Sequence, residues 1–120
     1  MNNNHITQIK LVKPIDLNPS NHLFAAQSAS WFVEESYLCA AYQFPQCKLV
    51  CRCVKNLEML LPVNNGDILM YSGNCEFGKT SITVNMTVYR QKDNKVVTKG
   101  QVIFVNIDEE GKPIPHNIKN

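Results

Sequence analysis

One stretch limits what this chain can become. Residues 16–41, DLNPSNHLFAAQSASWFVEESYLCAA, hold a long helical segment in a sequence that otherwise reads as strands. A polar loop, Asp16 to His22, leads into it, and from Leu23 to Ala41 almost every residue is apolar or small. The clear exceptions are Glu34 and Glu35, halfway along. A helix that is apolar most of the way round must be covered on most faces. In a mostly-strand chain the cover is a sheet, so a sheet wrapped around one helix is expected. A carboxylate inside such a helix is costly to bury unless it is paired, hydrogen-bonded or protonated. Glu34 and Glu35 are therefore the first candidates for chemistry.

The helix is expected over about His22–Tyr42, capped by Ser20 or Asn21, with Pro45 marking its end or the next loop. Before it, residues 5–13 alternate imperfectly and read as a first strand that Pro14 ends. After it the period changes to that of a strand. Residues 47–54 form a second strand, which Leu57–Val63 continues or bends, with Pro62 interrupting the ladder. Asn64-Asn65-Gly66-Asp67 is a turn, because Asn and Gly accept positive φ. Residues 68–77 form a third strand, in which Gly73 reads as a bulge. Gly78-Lys79 begins a tight connection. Residues 80–90 alternate cleanly, with Ile82, Val84, Met86 and Val88 on one face and Thr83, Asn85, Thr87 and Tyr89 on the other. A hairpin turn at residues 92–94 leads to a last strand over 95–107. The tail, 109–120, carries two prolines and reads as extended or loose. Strands that follow a helix without alternating with further helices indicate an α+β layer protein. A single domain, 1–120, with its core at about 5–108, fits the 120-residue length.

Composition excludes several classes. The net charge is +2, and the basic residues are scattered singly, which is no nucleic-acid footprint. The sequence has no uninterrupted apolar run long enough to span a membrane, and MNNNHITQIK has no apolar signal core, so a cytoplasmic protein is expected. The five cysteines, Cys39, Cys47, Cys51, Cys53 and Cys75, are odd in number and lack the partners of a four-ligand metal site. They read as reduced core thiols. Only 18% of residues are charged, consistent with surface buried between subunits.

Two blocks of sequence carry a family likeness. The first runs Asp16-Leu17-Asn18, then Leu23-Phe24-Ala25-Ala26-Gln27, then Trp31 and Glu34. The second holds Leu60-Leu61-Pro62-Val63-Asn64-Asn65-Gly66-Asp67, Gly78-Lys79-Thr80-Ser81, and Asp108-Glu109-Glu110-Gly111-Lys112-Pro113-Ile114-Pro115. In order and spacing these resemble the hotdog-fold acyl-CoA thioesterases, over about residues 10–116. The resemblance implies a curved antiparallel sheet of about five strands around one central helix. It implies hydrolysis of an acyl-CoA or acyl carrier protein thioester between subunits of a homodimer or dimer-based tetramer or hexamer. No separate cofactor is implied, since CoA arrives as part of the substrate.

The roles carry over residue by residue. Asn18 matches the loop Asn that orients water or substrate. Ala25 and Ala26 stand where the family has two glycines, whose amides hold the oxyanion; alanine keeps the N–H and adds a methyl group. Gly78, Lys79, Thr80 and Ser81 match a turn beside the CoA arm, with Lys79 placed for a phosphate. An ungapped match puts Val33 where active members have the helix Asp, with Glu34 next to it. Valine cannot serve as a base, so Glu34 is the candidate, with Asp16 and Glu35 in reserve. Plainer roles stand beside these: an Asx turn at Asn18, a turn residue at Asp16, a polar pair or solvated face at Glu34 and Glu35, and a solvent lysine at Lys79. Trp31 reads as core. A second reading keeps the fold and an acyl-CoA pocket without cleavage, because of Val33. A third, dehydration of an acyl thioester, would need a loop histidine, for which His22 is the sole candidate near the helix.

Overall fold

The computed structural model describes residues 6–118. His5, expected to open the first strand, and the last two tail residues lie outside that range.

Strand β4 (Ser81–Arg90) is the centre of the sheet. Its alternation is what the sequence shows: Ile82, Val84, Met86 and Val88 are sealed inside, and the residues between them are half-buried on the outer face. Around it stand β1 (Ile6–Leu11), β2 (Leu49–Met59), β3 (Ile68–Phe77) and β5 (Lys95–Asn106). The spatial order is β1-β3-β4-β5-β2, and every pairing is antiparallel. Helix α1 (Ala25–Gln43) lies on the inner face and touches β2, β3, β4 and β5. This is one helix on a five-stranded antiparallel sheet, the architecture the resemblance implies.

The strand pattern gives the molecule two ends. At one end β1 stops, β3 begins, β4 stops and β5 begins. Residues 60–67 cross this end from β2 to β3, held by Leu60 N–H to the Val97 carbonyl (2.7 Å) and by Arg90 Nη1 to the Pro62 carbonyl (2.7 Å). We call it the crossing end. At the other end Gly78–Thr80 joins β3 to β4, and β2 starts beside the finish of β5. We call it the turn end. At about 3.3 Å per residue, the length of β4 separates the two by about 30 Å.

Several expectations are corrected. The helix begins at Ala25 with Phe24 as N-cap and no side-chain cap. Ser20 and Asn21 belong to a turn, Asn21 with φ 65°, and bridges Leu17↔Leu23 and His22↔Asn64 hold the chain extended until Phe24. Gly73 is not a bulge. It stays in register with both neighbours, and a Cβ there would lie 2.9 Å from Met86 Cε and 3.0 Å from Cys39 Sγ. Glycine is needed because the helix comes close. The bulges lie in β2, between Cys51 and Cys53 and between Lys55 and Glu58, and between β4 and β5 at Val88/Tyr89. They bend a strand that continues to Met59, within the stretch expected to continue or bend it. The tail is tied down as far as Ile118. An Asx turn at Asp108 reverses it, Ile114 N–H reaches the Asn106 carbonyl (2.9 Å), and His116 Nε2 reaches the Ser81 carbonyl (3.0 Å).

The helix itself is covered on one side only. Ser28, Trp31, Phe32, Glu35, Ser36, Cys39 and Ala40 face the sheet. Tyr37, Leu38 and Tyr42 are exposed, Tyr42 to 79%, with the Tyr37 ring meeting Phe104 of β5 edge-on at 5.8 Å.

Candidate active site

The site residues at the crossing end are assembled by a short loop with unusual internal bonding. Asp16 is buried at its start. Its Oδ2 accepts the Lys13 backbone N–H (2.9 Å), its Oδ1 accepts Gln27 Nε2 (3.0 Å), and its carbonyl accepts Phe24 N–H (2.9 Å). One residue thus fixes both the loop and the first turn of the helix. Burial works to raise its pKa, but the bonds from Gln27 and Lys13 and the charges of Lys13 and Lys10 outweigh it. Asp16 therefore stays ionised, below the ordinary aspartate value, as a structural clamp.

Asn18 follows. Its Oδ1 accepts N–H groups from Ser20 (2.9 Å) and His22 (3.1 Å), and its own N–H donates to the His22 carbonyl (2.7 Å). The Asx turn is real, and it dictates the rest: with Oδ1 committed to the loop, the amide Nδ2 is the group Asn18 offers outward. His22 is exposed, and its Nδ1 lies 2.7 Å from Asn64 Oδ1. The next rung inward is Leu23 N–H to the Val63 carbonyl, 2.7 Å.

Between this loop, the helix start and the crossing segment lies a cleft of ≈ 290 Å³. Its lining includes Asn18 and Ala25 at the mouth, Met59, Leu60 and Leu61 along the exposed wall, and the buried residues Ser28, Val63 and Thr98 beneath. The first intrahelical bond is Ser28 N–H to the Phe24 carbonyl. The amides of Ala25, Ala26 and Gln27 are thus the helix's leading donors, with no capping side chain over them. A partial positive charge, an amide donor and an open cleft of mixed lining meet at one place. That arrangement can bind a carbonyl and stabilise negative charge developing on its oxygen.

The other candidates stand elsewhere in the chain. Glu34 is exposed. It is nine residues from Ala25, about 13 Å along the axis and half a turn around the helix, so it points away from the cleft of its own chain. Glu35 is 5% exposed and faces β1, with Lys10 Nζ at 3.9 Å. Burial raises its pKa, the Lys10 charge partly counters this, and Glu34 adds to it. Lys10 also sits over the Trp31 ring, 5.1 Å from its centroid, and Trp31 is core. Val33 is half-buried. Gly78, Lys79, Thr80 and Ser81 are at the turn end, the length of the sheet away. Their carbonyls hold the tail: Lys79 accepts His116 N–H (3.2 Å) and Thr80 accepts Asn106 N–H (2.8 Å).

None of the five cysteines is in a disulfide. Cys39 and Cys75 are buried in contact, and that contact, with burial, pushes the Cys75 thiol far up. Among the described residues no cluster of His, Cys, Asp and Glu is placed to hold a metal ion, and no helix is long and apolar enough to cross a membrane. Sequence reading missed Gln27, Ser28 and Thr98. A spacing of eleven residues between Asp16 and Gln27 follows no local rule, and small hydroxyls in a helix or strand carry no signal of a cavity.

The architecture is that of known proteins. An acyl-CoA hydrolase from Staphylococcus aureus, solved with butyryl-CoA, CoA and CoA disulfide, superposes with a TM-score of 0.83 at 22% identity, over 93% of this chain and 68% of that one. A hexameric thioesterase from Yersinia pestis gives 0.81 at 26%, over 90% and 91%. An acyl-CoA hydrolase from Bacillus cereus gives 0.79 at 22%, over 93% and 71%. The chain has the hotdog fold, and its structural neighbours are acyl-CoA thioesterases. No protein-family model and no curated protein sequence matches it.

Proposed function

We propose that the chain hydrolyses acyl thioesters of CoA or of an acyl carrier protein, with the crossing-end cleft as its active site. The observation that carries this is the convergence of the Asn18 amide and the uncapped helix start on one cleft of mixed polar and apolar lining. The thioester carbonyl lies at the mouth, the Ala25 and Ala26 amides hold its oxygen as it becomes an oxyanion, and Asn18 Nδ2 orients the carbonyl or the attacking water. CoA leaves as the thiol.

One chain does not complete this site, and the topology supports a second copy. β2 is an edge strand of eleven residues with its outer side open among the described residues. Such edges are templates for pairing. Antiparallel pairing of two β2 edges sets the Leu49 end of one beside the Met59 end of the other. The turn end of one copy, with Lys79 and Ser81, then approaches the cleft of its partner, where Lys79 can pair with a CoA phosphate. The exposed helix stripe of Tyr37, Leu38 and Tyr42 gains cover in the same assembly. Glu34, on that stripe, serves as base for the cleft of the other copy. A homodimer is thus the smallest working unit, and a monomeric mass at micromolar concentration would count against it.

The test is free-thiol release from a panel of acyl-CoAs, with Glu34→Gln beside the wild type. Hydrolysis that persists at full rate in Glu34→Gln removes Glu34 from the base role. A second reading rests on Val33, which stands apolar and half-buried where the resemblance expects the helix Asp: an acyl-CoA binding protein without turnover. CoA-dependent thermal stabilisation with no thiol release across the panel is its signature.

A further inference from the structure

We infer that two copies of the chain join along β2 in a single register, with Val54 of one against Val54 of the other. This deepens the two-copy reading above and rests on it. The ladder between β2 and β5 assigns the faces of β2, because residues directly opposite each other share a face. Cys51 and Val54 stand opposite Phe104 and Val102, which are sealed on the helix side. Leu49 and Leu57 pack into the core on that side, and Met59 stands opposite the buried Thr98 and lines the cleft. Cys53, Lys55 and Glu58 stand opposite Ile103, Gln101 and Lys99 on the outer side. Val50, between Leu49 and Cys51, is outward too.

A regular strand alternates from end to end. Here each of the two bulges, at Cys51/Cys53 and at Lys55/Glu58, adds one residue and shifts the alternation. The inward positions become 49, 51, 54, 57 and 59, and the outward positions 50, 53, 55 and 58. Both series read the same in either direction about Val54. An antiparallel second copy centred there meets inward residues with inward and outward with outward along the whole strand. Leu49 falls opposite Met59, Cys51 opposite Leu57, Cys53 opposite Lys55 and Val50 opposite Glu58. The bulge residues Arg52 and Asn56 fall opposite each other, so no two charges of one sign are directly opposed.

An axis one residue to either side sets Cys51 against Lys55 or Cys53 against Leu57, which mixes the faces. Axes nearer an end leave part of the edge unpaired. The centred register also covers what one copy leaves open. Val54 and Met59 face the helix side and are still 42% and 44% exposed. It sets Leu49 of the second copy beside Met59, at the wall of the cleft.

The experiment is cross-linking of the full chain by diamide, which takes up the two hydrogens of a thiol pair, after the mass in solution is measured. Opposed residues hold their Cα atoms about 4.5–5.5 Å apart, within reach of a disulfide. With Cys51 and Cys53 replaced by Ser, Val54→Cys is expected to run almost entirely at twice the chain mass, and Lys55→Cys to stay single. Restoring Cys53 to the Lys55→Cys chain is expected to switch cross-linking on, and this variant keeps Val54 should its substitution disturb the fold. The wild type is expected to stay single, since Cys51 faces Leu57 and Cys53 faces Lys55.

A dimer that cross-links through native Cys51 and Cys53, through Lys55→Cys without Cys53, or at none of these positions overturns the register and leaves the two-copy reading standing. A monomeric mass overturns both.

Discussion

The two ends of the sheet are built from the same strands and do different work. At the crossing end, backbone and side-chain bonds are spent on geometry. Asp16 pins the loop to the helix through Lys13 and Gln27, Asn18 Oδ1 is bound by two amides, and what remains outward is a donor over a cleft. At the turn end the bonds close the structure. The carbonyls of Lys79, Thr80 and Ser81 are taken by His116 and Asn106, and the tail lies against the turn. The exposed Lys79 is the group left over there. Under the proposed function, one end takes the reacting carbonyl and the other a phosphate of CoA. A sheet about 30 Å long cannot bring them together in one chain, and a two-fold pairing of β2 edges can.

The largest expected effect separates the ends by kinetics. Asn18→Ala should lower kcat/KM by about 10²–10³, the cost of removing a donor to developing charge, with the fold retained by circular dichroism. Lys79→Ala should act differently, raising KM up to about tenfold with kcat unchanged, as expected for a contact to a non-reacting part of the substrate. An unchanged KM in Lys79→Ala would leave the turn end out of the site. His116→Ala should cost about 1–2 kcal/mol in chemical denaturation by losing the bonds to Ser81 and Ile118. Its kcat should not move.

The smallest effect contrasts two acids by the sign of their pH dependence. Burial works to raise the Asp16 pKa, but the Gln27 and Lys13 bonds hold it below the ordinary aspartate value of 3.8. Its contribution is present above that value and is lost as pH falls through the folded pKa. Glu35 has a folded pKa above 4.5. The folded state therefore favours the protonated acid, and this contribution is present below 4.5 and is lost as pH rises through the folded value. Unfolding curves from pH 3 to pH 8 should show Asp16→Asn losing stability relative to wild type at neutral pH, and Glu35→Gln gaining it. The same sign for both variants would mean that one of these environments is misread.

The fold was largely legible because β4 declares itself: strict alternation of Ile82, Val84, Met86 and Val88 admits one buried face. The helix was legible for the same reason, in its apolar length from Leu23. Its start was not, since Ser20 and Asn21 offer good capping chemistry and lose to a bridge within the loop, Leu17↔Leu23, and to one from His22 to Asn64, some forty positions away. Gly73 reads as a bulge in sequence because a missing side chain looks the same whether the strand kinks or a helix approaches. The residues proposed for the site were legible as types and not as a set. Asn18 and Ala25 meet at one cleft, while Glu34 and Gly78–Ser81 do not join them in one chain. Local pattern says nothing of which end of a sheet a turn will occupy, or of which side of a helix the sheet will leave uncovered.

The central claim is that the crossing-end cleft hydrolyses acyl thioesters. Its most direct test is free-thiol release from hexanoyl-CoA by the wild type and by Asn18→Ala, on samples whose mass in solution is measured in parallel. Turnover by a dimeric or larger wild type, reduced about a hundredfold or more in Asn18→Ala, is the predicted result. Turnover that is equal in the two proteins would place the chemistry elsewhere, and its absence from the wild type would contradict the account.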